Sequence, residues 1–100
     1  MTGEELFNIV KPNISGVTPQ SNFYDAKIKF CINEVVSFMQ GAGVPESEIT
    51  ETTAGVVIIG VNDLFDLPSG VVKFSPYFLQ RVSQLEAIAS RKKKEAAANV

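Results

Sequence analysis

Asp63 and Asp66 stand three residues apart in the stretch VNDLFDL, and two carboxylates that close could divide the acid and base roles of a reaction. They lie, however, near the end of an apolar segment and beside a breaker, where solvation or capping is the ordinary use of an aspartate. No histidine is present, so the side chain that most often does proton transfer at neutral pH is missing. The single cysteine, Cys31, falls on the apolar stripe of a helical segment, where a thiol is a small buried hydrophobe and not a nucleophile. It has no second cysteine to bridge, and no paired-cysteine or histidine set offers a zinc site. The glycines of GAG at 41–43 are followed by Val-Pro-Glu, with no lysine to meet a phosphate. These residues predict no catalysis, no metal and no cofactor.

The chain's charge is unevenly placed. Residues 1–90 hold ten acidic and five basic side chains, whereas RKKKEAAANV at 91–100 holds four basic and one acidic. An acidic body thus carries a basic, alanine-rich tail, and only Arg91, Lys92, Lys93 and Lys94 suit phosphate contacts. A terminal charge run of this kind is usually solvated; the other uses are nucleic acid or an acidic groove on another protein. No apolar run approaches the length of a membrane span, and acidic residues stand where a signal peptide would be basic, so the expectation is a soluble protein that stays where it is made, with no membrane partner.

One hundred residues make one small domain with a modest core. The pattern predicts a mostly α fold, with a long central helix, a second buried helix, a C-terminal helix and one short β-like segment or loop; residues 1–90 form the domain and 91–100 the tail. Thr2 with Glu5 fits a capping box for a short opening helix that Pro12 stops. KPNISGVTPQS is a loop, after which Ser21 or Asn22 caps a helix to about Gln40. Tyr24, Ile28, Cys31, Ile32, Val35, Phe38 and Met39 form its core stripe. Phe23 and Phe30, seven apart, fall off that stripe: they either widen the core face or form a second apolar line that meets a neighbour. The glycines of GAG close this helix, and Pro45 opens a turn.

The segment ETTAGVVIIGVNDLFDL permits two readings. Its β-branched run between Gly55 and Gly60 could be a buried strand, but its length favours a helix buried on most sides. Asp66–Gly70 breaks the chain, and Ser75 with Pro76 restarts it as N-cap and first helical residue of a helix to about Ser90, whose apolar face includes Tyr77, Phe78, Val82, Leu85, Ile88 and Ala89. Between these breaks lies Val71-Val72-Lys73-Phe74, a β-like run with no obvious partner if residues 50–66 are helical. It could pair with a neighbouring copy, bridge back to GVT at 16–18, or be a hydrated loop.

The order VNDLFDLPSGVVKFSPYFLQRVSQL at 61–85 resembles the head-to-tail connector (adaptor, head-completion) proteins of tailed bacteriophages. The likeness extends more loosely over most of residues 1–90, with a short opening helix and a long helix ending at a Gly-Val-Pro turn. It implies a structural virion protein, made in the host cytoplasm and placed at the neck. Such proteins form a ring of about twelve copies under the portal protein, prolong the DNA channel and present a platform to the next neck or tail component. Genomic DNA would pass without sequence recognition, and an acidic wall would repel phosphate and let it slide. The resemblance makes Gly70, Val71, Val72, Lys73 and Phe74 the loop that meets a neighbouring subunit or the channel, and it lets Ser75 and Pro76 set the next helix. Further expectations are a free protein no larger than a weak oligomer, a tail that is disordered until it docks on the portal, and a run 71–74 that tolerates aspartate in the monomer. The alternative function is a small helical nucleic-acid-binding or packaging accessory protein that uses its basic tail.

Overall fold

The computed structural model describes residues 1–68 and 70–98. They form α1 (Gly3–Val10), α2 (Asp25–Gly41), α3 (Ala54–Phe65) and α4 (Pro76–Ala98), with 3-10 turns at Lys11–Asn13 and Glu46–Glu48. No strand occurs among the described residues. None of the described helices is long and apolar enough to cross a membrane.

Local chemistry accounts for most of the boundaries. At α1 the Thr2 hydroxyl accepts from the Glu5 amide at 3.1 Å while the Glu5 carboxylate accepts from the Thr2 amide at 2.9 Å. The box satisfies two amides that the first turn leaves without helical partners, and these bonds to Thr2, backbone first, hold the Glu5 carboxyl below its ordinary pKa. Pro12 then lies inside a 3-10 turn. The start of α2 departs from the sequence expectation. The Ser21 hydroxyl is spent within its own turn, accepting from the Phe23 amide at 3.2 Å, so neither Ser21 nor Asn22 caps the helix, which begins at Asp25. Asp25 instead pairs with Lys11 at 2.8 Å, tying the start of α2 to the end of α1.

The end of α2 is a Schellman motif. Gly43 adopts φ +99°, its amide donates to the Gln40 carbonyl at 3.1 Å, and the Val44 amide donates to the Met39 carbonyl at 2.9 Å. Val44 and Met39 are both fully buried, the apolar contact that accompanies such caps. Thr53 closes the next turn by accepting from the Thr50 amide at 2.9 Å and donating to the Glu48 carbonyl at 2.7 Å.

Residues 54–65 are helical, so length outweighs the β-branched run. The reason is burial: Val56, Val57, Val61, Leu64 and Phe65 enter the core, and Ile58 and Ile59 pack against it, so tertiary contacts outweigh a low intrinsic propensity. Around α3 stand Leu6 and Val10 of α1, Ile28, Ile32, Val35 and Met39 of α2, and Phe78, Val82 and Leu85 of α4. Tyr77 and Leu79 of α4 face outward, as does much of Phe38, which the helical stripe had assigned to the core.

Residues 91–98 continue α4 without a break and are exposed, so the chain carries the basic segment as a helical extension and not as a disordered tail. Its helix propensity is high, and Lys92 anchors it by reaching both Glu48 carboxylate oxygens at 3.1 Å.

Gly60 is the point of closest helix approach. A β-carbon there would lie 2.6 Å from Cε1 of Phe78 and 2.9 and 3.0 Å from the Val35 methyls, and both side chains are fully buried. Gly60→Ala is expected to lower stability by about 1–3 kcal/mol through overpacking, even though alanine favours helix. Gly55→Ala, in the same helix with nothing within 4 Å of the added methyl, should be neutral or stabilising by up to about 1 kcal/mol. Urea unfolding of the two variants checks the contrast.

Candidate functional site

The two aspartates have separate structural places. Asp63 accepts from the Ser75 amide at 3.0 Å and from its hydroxyl at 2.8 Å, and the same hydroxyl oxygen accepts from the Phe78 amide at 3.2 Å. Ser75 is thus the N-cap of α4, with Pro76 at its first helical position, and Asp63 locks the cap to the last turns of α3. Asp66 follows α3 as its exposed C-cap residue. Asp63 is committed to the cap, and no hydrogen bond joins it to Asp66 among the described residues.

The Val71 amide donates to the Pro68 carbonyl at 3.0 Å in a tight turn where Gly70 takes φ +85°, a conformation that glycine adopts without strain. Residues 71–74 then run without regular secondary structure and without a strand partner among the described residues. Among the described residues no backbone hydrogen bond joins them to residues 16–18. That loop is held elsewhere: Asn62 of α3 accepts from the Ser15 amide at 3.1 Å and donates to the Asn13 carbonyl at 3.1 Å.

The run itself divides. Phe74 turns inward and stacks on Phe78, ring centroids 4.4 Å apart, with Phe38 at 4.8 Å. It belongs to the monomer's packing, which corrects the expectation that this position tolerates a charge. Val71 and Val72 point outward, 47% and 52% exposed, and Lys73 is exposed.

Val71 and Val72 do not stand alone. They form one wall of an apolar groove of about 460 Å³, whose other wall is α2 with Lys27, Phe30 and Glu34, and Gly70 also lines it. Phe30, 59% exposed, is not part of the core face, and neither is Phe23, 82% exposed in the turn before α2. Phe23 meets Tyr24 edge-on at 4.8 Å, Tyr24 meets Phe65 at 5.4 Å, and the Lys27 ammonium lies 4.5 Å above the Phe65 ring. The second apolar line of α2 and the loop after α3, read separately from the sequence, therefore share one surface. The heptad spacing signalled Phe30; the two-residue period of a β-like run would set Val72 and Phe74 on one face, and the structure parts them.

Cys31 borders the groove but is buried, and burial pushes its thiol pKa up, outweighing the downward pull of Lys27. Burial and the raised pKa both disfavour the reactive thiolate. At the far end of the molecule Lys92 is engaged by Glu48, whereas Arg91, Lys93 and Lys94 form no ion pair among the described residues.

Phe74→Asp is expected to cost the free chain about 3 kcal/mol or more, since it both removes a packed ring and sets a carboxylate against two others. Ser75→Ala should cost about 1 kcal/mol. Because Asp63 and Ser75 share a hydrogen bond, Asp63→Ala combined with Ser75→Ala should lose less than the sum of the two, which chemical denaturation of all three variants measures. No family model, curated protein or solved structure matches the chain.

Proposed function

We propose that this chain is a structural adaptor of a tailed-phage neck, which docks under the portal protein, joins copies of itself into a ring around the DNA channel and carries the next tail component. The observation that carries this reading is the exposed apolar surface built by Phe30, Val71 and Val72. A small domain that leaves such a surface in water is suited to contact with another protein. The likeness of residues 61–85 to connector proteins supplies the class of assembly, and the acidic residues of the body suit a conduit that DNA traverses without being held. Asp63, Ser75 and Pro76 serve the loop indirectly, by fixing the end at which it enters α4.

Val71→Asp or Val72→Asp tests the reading. Both side chains are half-exposed in the monomer, so thermal unfolding of the free variant should change little. Incorporation into portal-bound particles should fail, because a carboxylate buried unpaired at a subunit contact costs several kcal/mol, roughly 3 or more, at each interface. Normal incorporation would show that the loop makes no essential subunit contact.

The exposed end of α4 favours a second reading, in which Arg91, Lys93 and Lys94 hold nucleic acid in a packaging accessory role. The adaptor reading expects the isolated protein to leave duplex DNA unshifted at moderate salt. A mobility shift that disappears when residues 91–100 are deleted, and that weakens steeply as salt is raised, would decide for the second reading.

A further inference from the structure

We propose that the exposed face of α2 centred on Phe30 is the contact of a homodimer, with the α2 helices of two copies packed antiparallel about a two-fold axis. The pattern of side chains is self-complementary about a point between Phe30 and Cys31. Lys27 and Glu34 lie equally far to either side of it, and so do Phe23 and Phe38. At 100° per residue Lys27, Phe30, Glu34 and Phe38 fall within about 80° of arc, and Phe23 stands in the turn before the helix.

A two-fold through that point sets Lys27 against the second copy's Glu34, and Glu34 against the second copy's Lys27. Each Phe23 meets the other copy's Phe38, and the two Phe30 rings close the centre. All three phenylalanines present surface for this contact, Phe38 being 37% exposed. Lys27 is held in place over Phe65, and Glu34 forms no ion pair among the described residues.

The charges select the occupant. A parallel pair of α2 helices would set Lys27 against Lys27 and Glu34 against Glu34, and a wholly acidic or wholly basic peptide would leave one of the two unmatched or repelled. A second copy in antiparallel orientation matches both, and the isologous geometry repeats every favourable contact twice. The dimer covers Val71 and Val72 as well, because they share the groove with Phe30. It stands without the adaptor reading; if that reading also holds, dimer and ring neighbour compete for one surface, and the dimer is the form that exists away from the portal.

Sedimentation velocity of the full chain from about 5 to about 500 μM, a span that brackets micromolar association, is the test. The expected result is a monomer–dimer equilibrium. Lys27→Glu or Glu34→Lys alone should weaken it on the order of tenfold, because each reversal turns two attractions into two repulsions, and the combined reversal should restore it. Phe30→Cys, adjacent to the axis, should form a disulfide-linked dimer on mild oxidation, and this readout decides the matter if a charge reversal unfolds the chain. A monomer at every concentration, a ring without a dimer stage, single reversals that change nothing, a combined reversal that fails to restore association in folded protein, or absent cross-linking would each overturn the proposal. None of these outcomes depends on portal-bound particles.

Discussion

The missing side chain at Gly60 sets the spacing of α2, α3 and α4. Three helices converge there, and the ring of Phe78 and the methyls of Val35 occupy the volume that a β-carbon would take. Glycine within a helix costs roughly 1 kcal/mol against alanine, so its presence at this position is a local loss accepted for a shorter interhelix distance. Bringing α4 this near to α3 lets Phe78 sit fully buried between α2 and α3. It also sets the place at which the connection between α3 and α4 must return to the body.

That return is governed by a short polar relay. Asp63 of α3 fixes Ser75, Ser75 caps α4, and the cap leads directly to the buried Phe78. With both ends held, the intervening residues have limited freedom, and Phe74 fills the space beside Phe78 and Phe38. The residues before it are left over by the same constraint. Val71 and Val72 are apolar but about half exposed, and they extend the exposed face of α2 across the groove. Anchoring and exposure in this loop thus have a single origin.

Much of the fold was legible because its signals are local. The box of Thr2 and Glu5, Gly43 after α2, and Ser75-Pro76 before α4 each name a boundary through backbone chemistry that needs no distant partner. The period of Ile28, Cys31, Ile32, Val35 and Met39 gave the core face of α2 for the same reason. The misreadings involve competition between distant groups. Ser21 is a good cap by type, but its hydroxyl is used within its own turn while Lys11 draws Asp25. Phe38 and Phe74 each look assignable from neighbours alone, and only the approach of α4 decides that Phe74 packs against the core while Phe38, in contact with it, stays 37% exposed. The groove is half legible: the pattern marks Phe30 and Val71 separately, and their adjacency is a property of how α2 lies against the end of α3.

Charge and shape divide the remaining surface into two kinds. The helical end of α4 carries its basic side chains out from the body, with Lys92 alone turned back to Glu48, and an exposed ion pair of that kind contributes at most about 1 kcal/mol. Such an end can change partners at little cost. The groove beside α2 is different, because phenylalanine and valine left in water gain from nearly any apolar cover, and it is the arrangement of Lys27 and Glu34 around them that discriminates among covers. In the proposed adaptor, assembly on a template then requires more than an available surface. The template has to offer a contact that the second copy in the proposed dimer does not, and the basic helix end, lying apart from the groove, is free to make it while that copy still covers the groove. A contact at α4 that raises the local concentration of correctly placed subunits would favour exchange of one apolar neighbour for another, so that the ring closes where the template is and not in free solution.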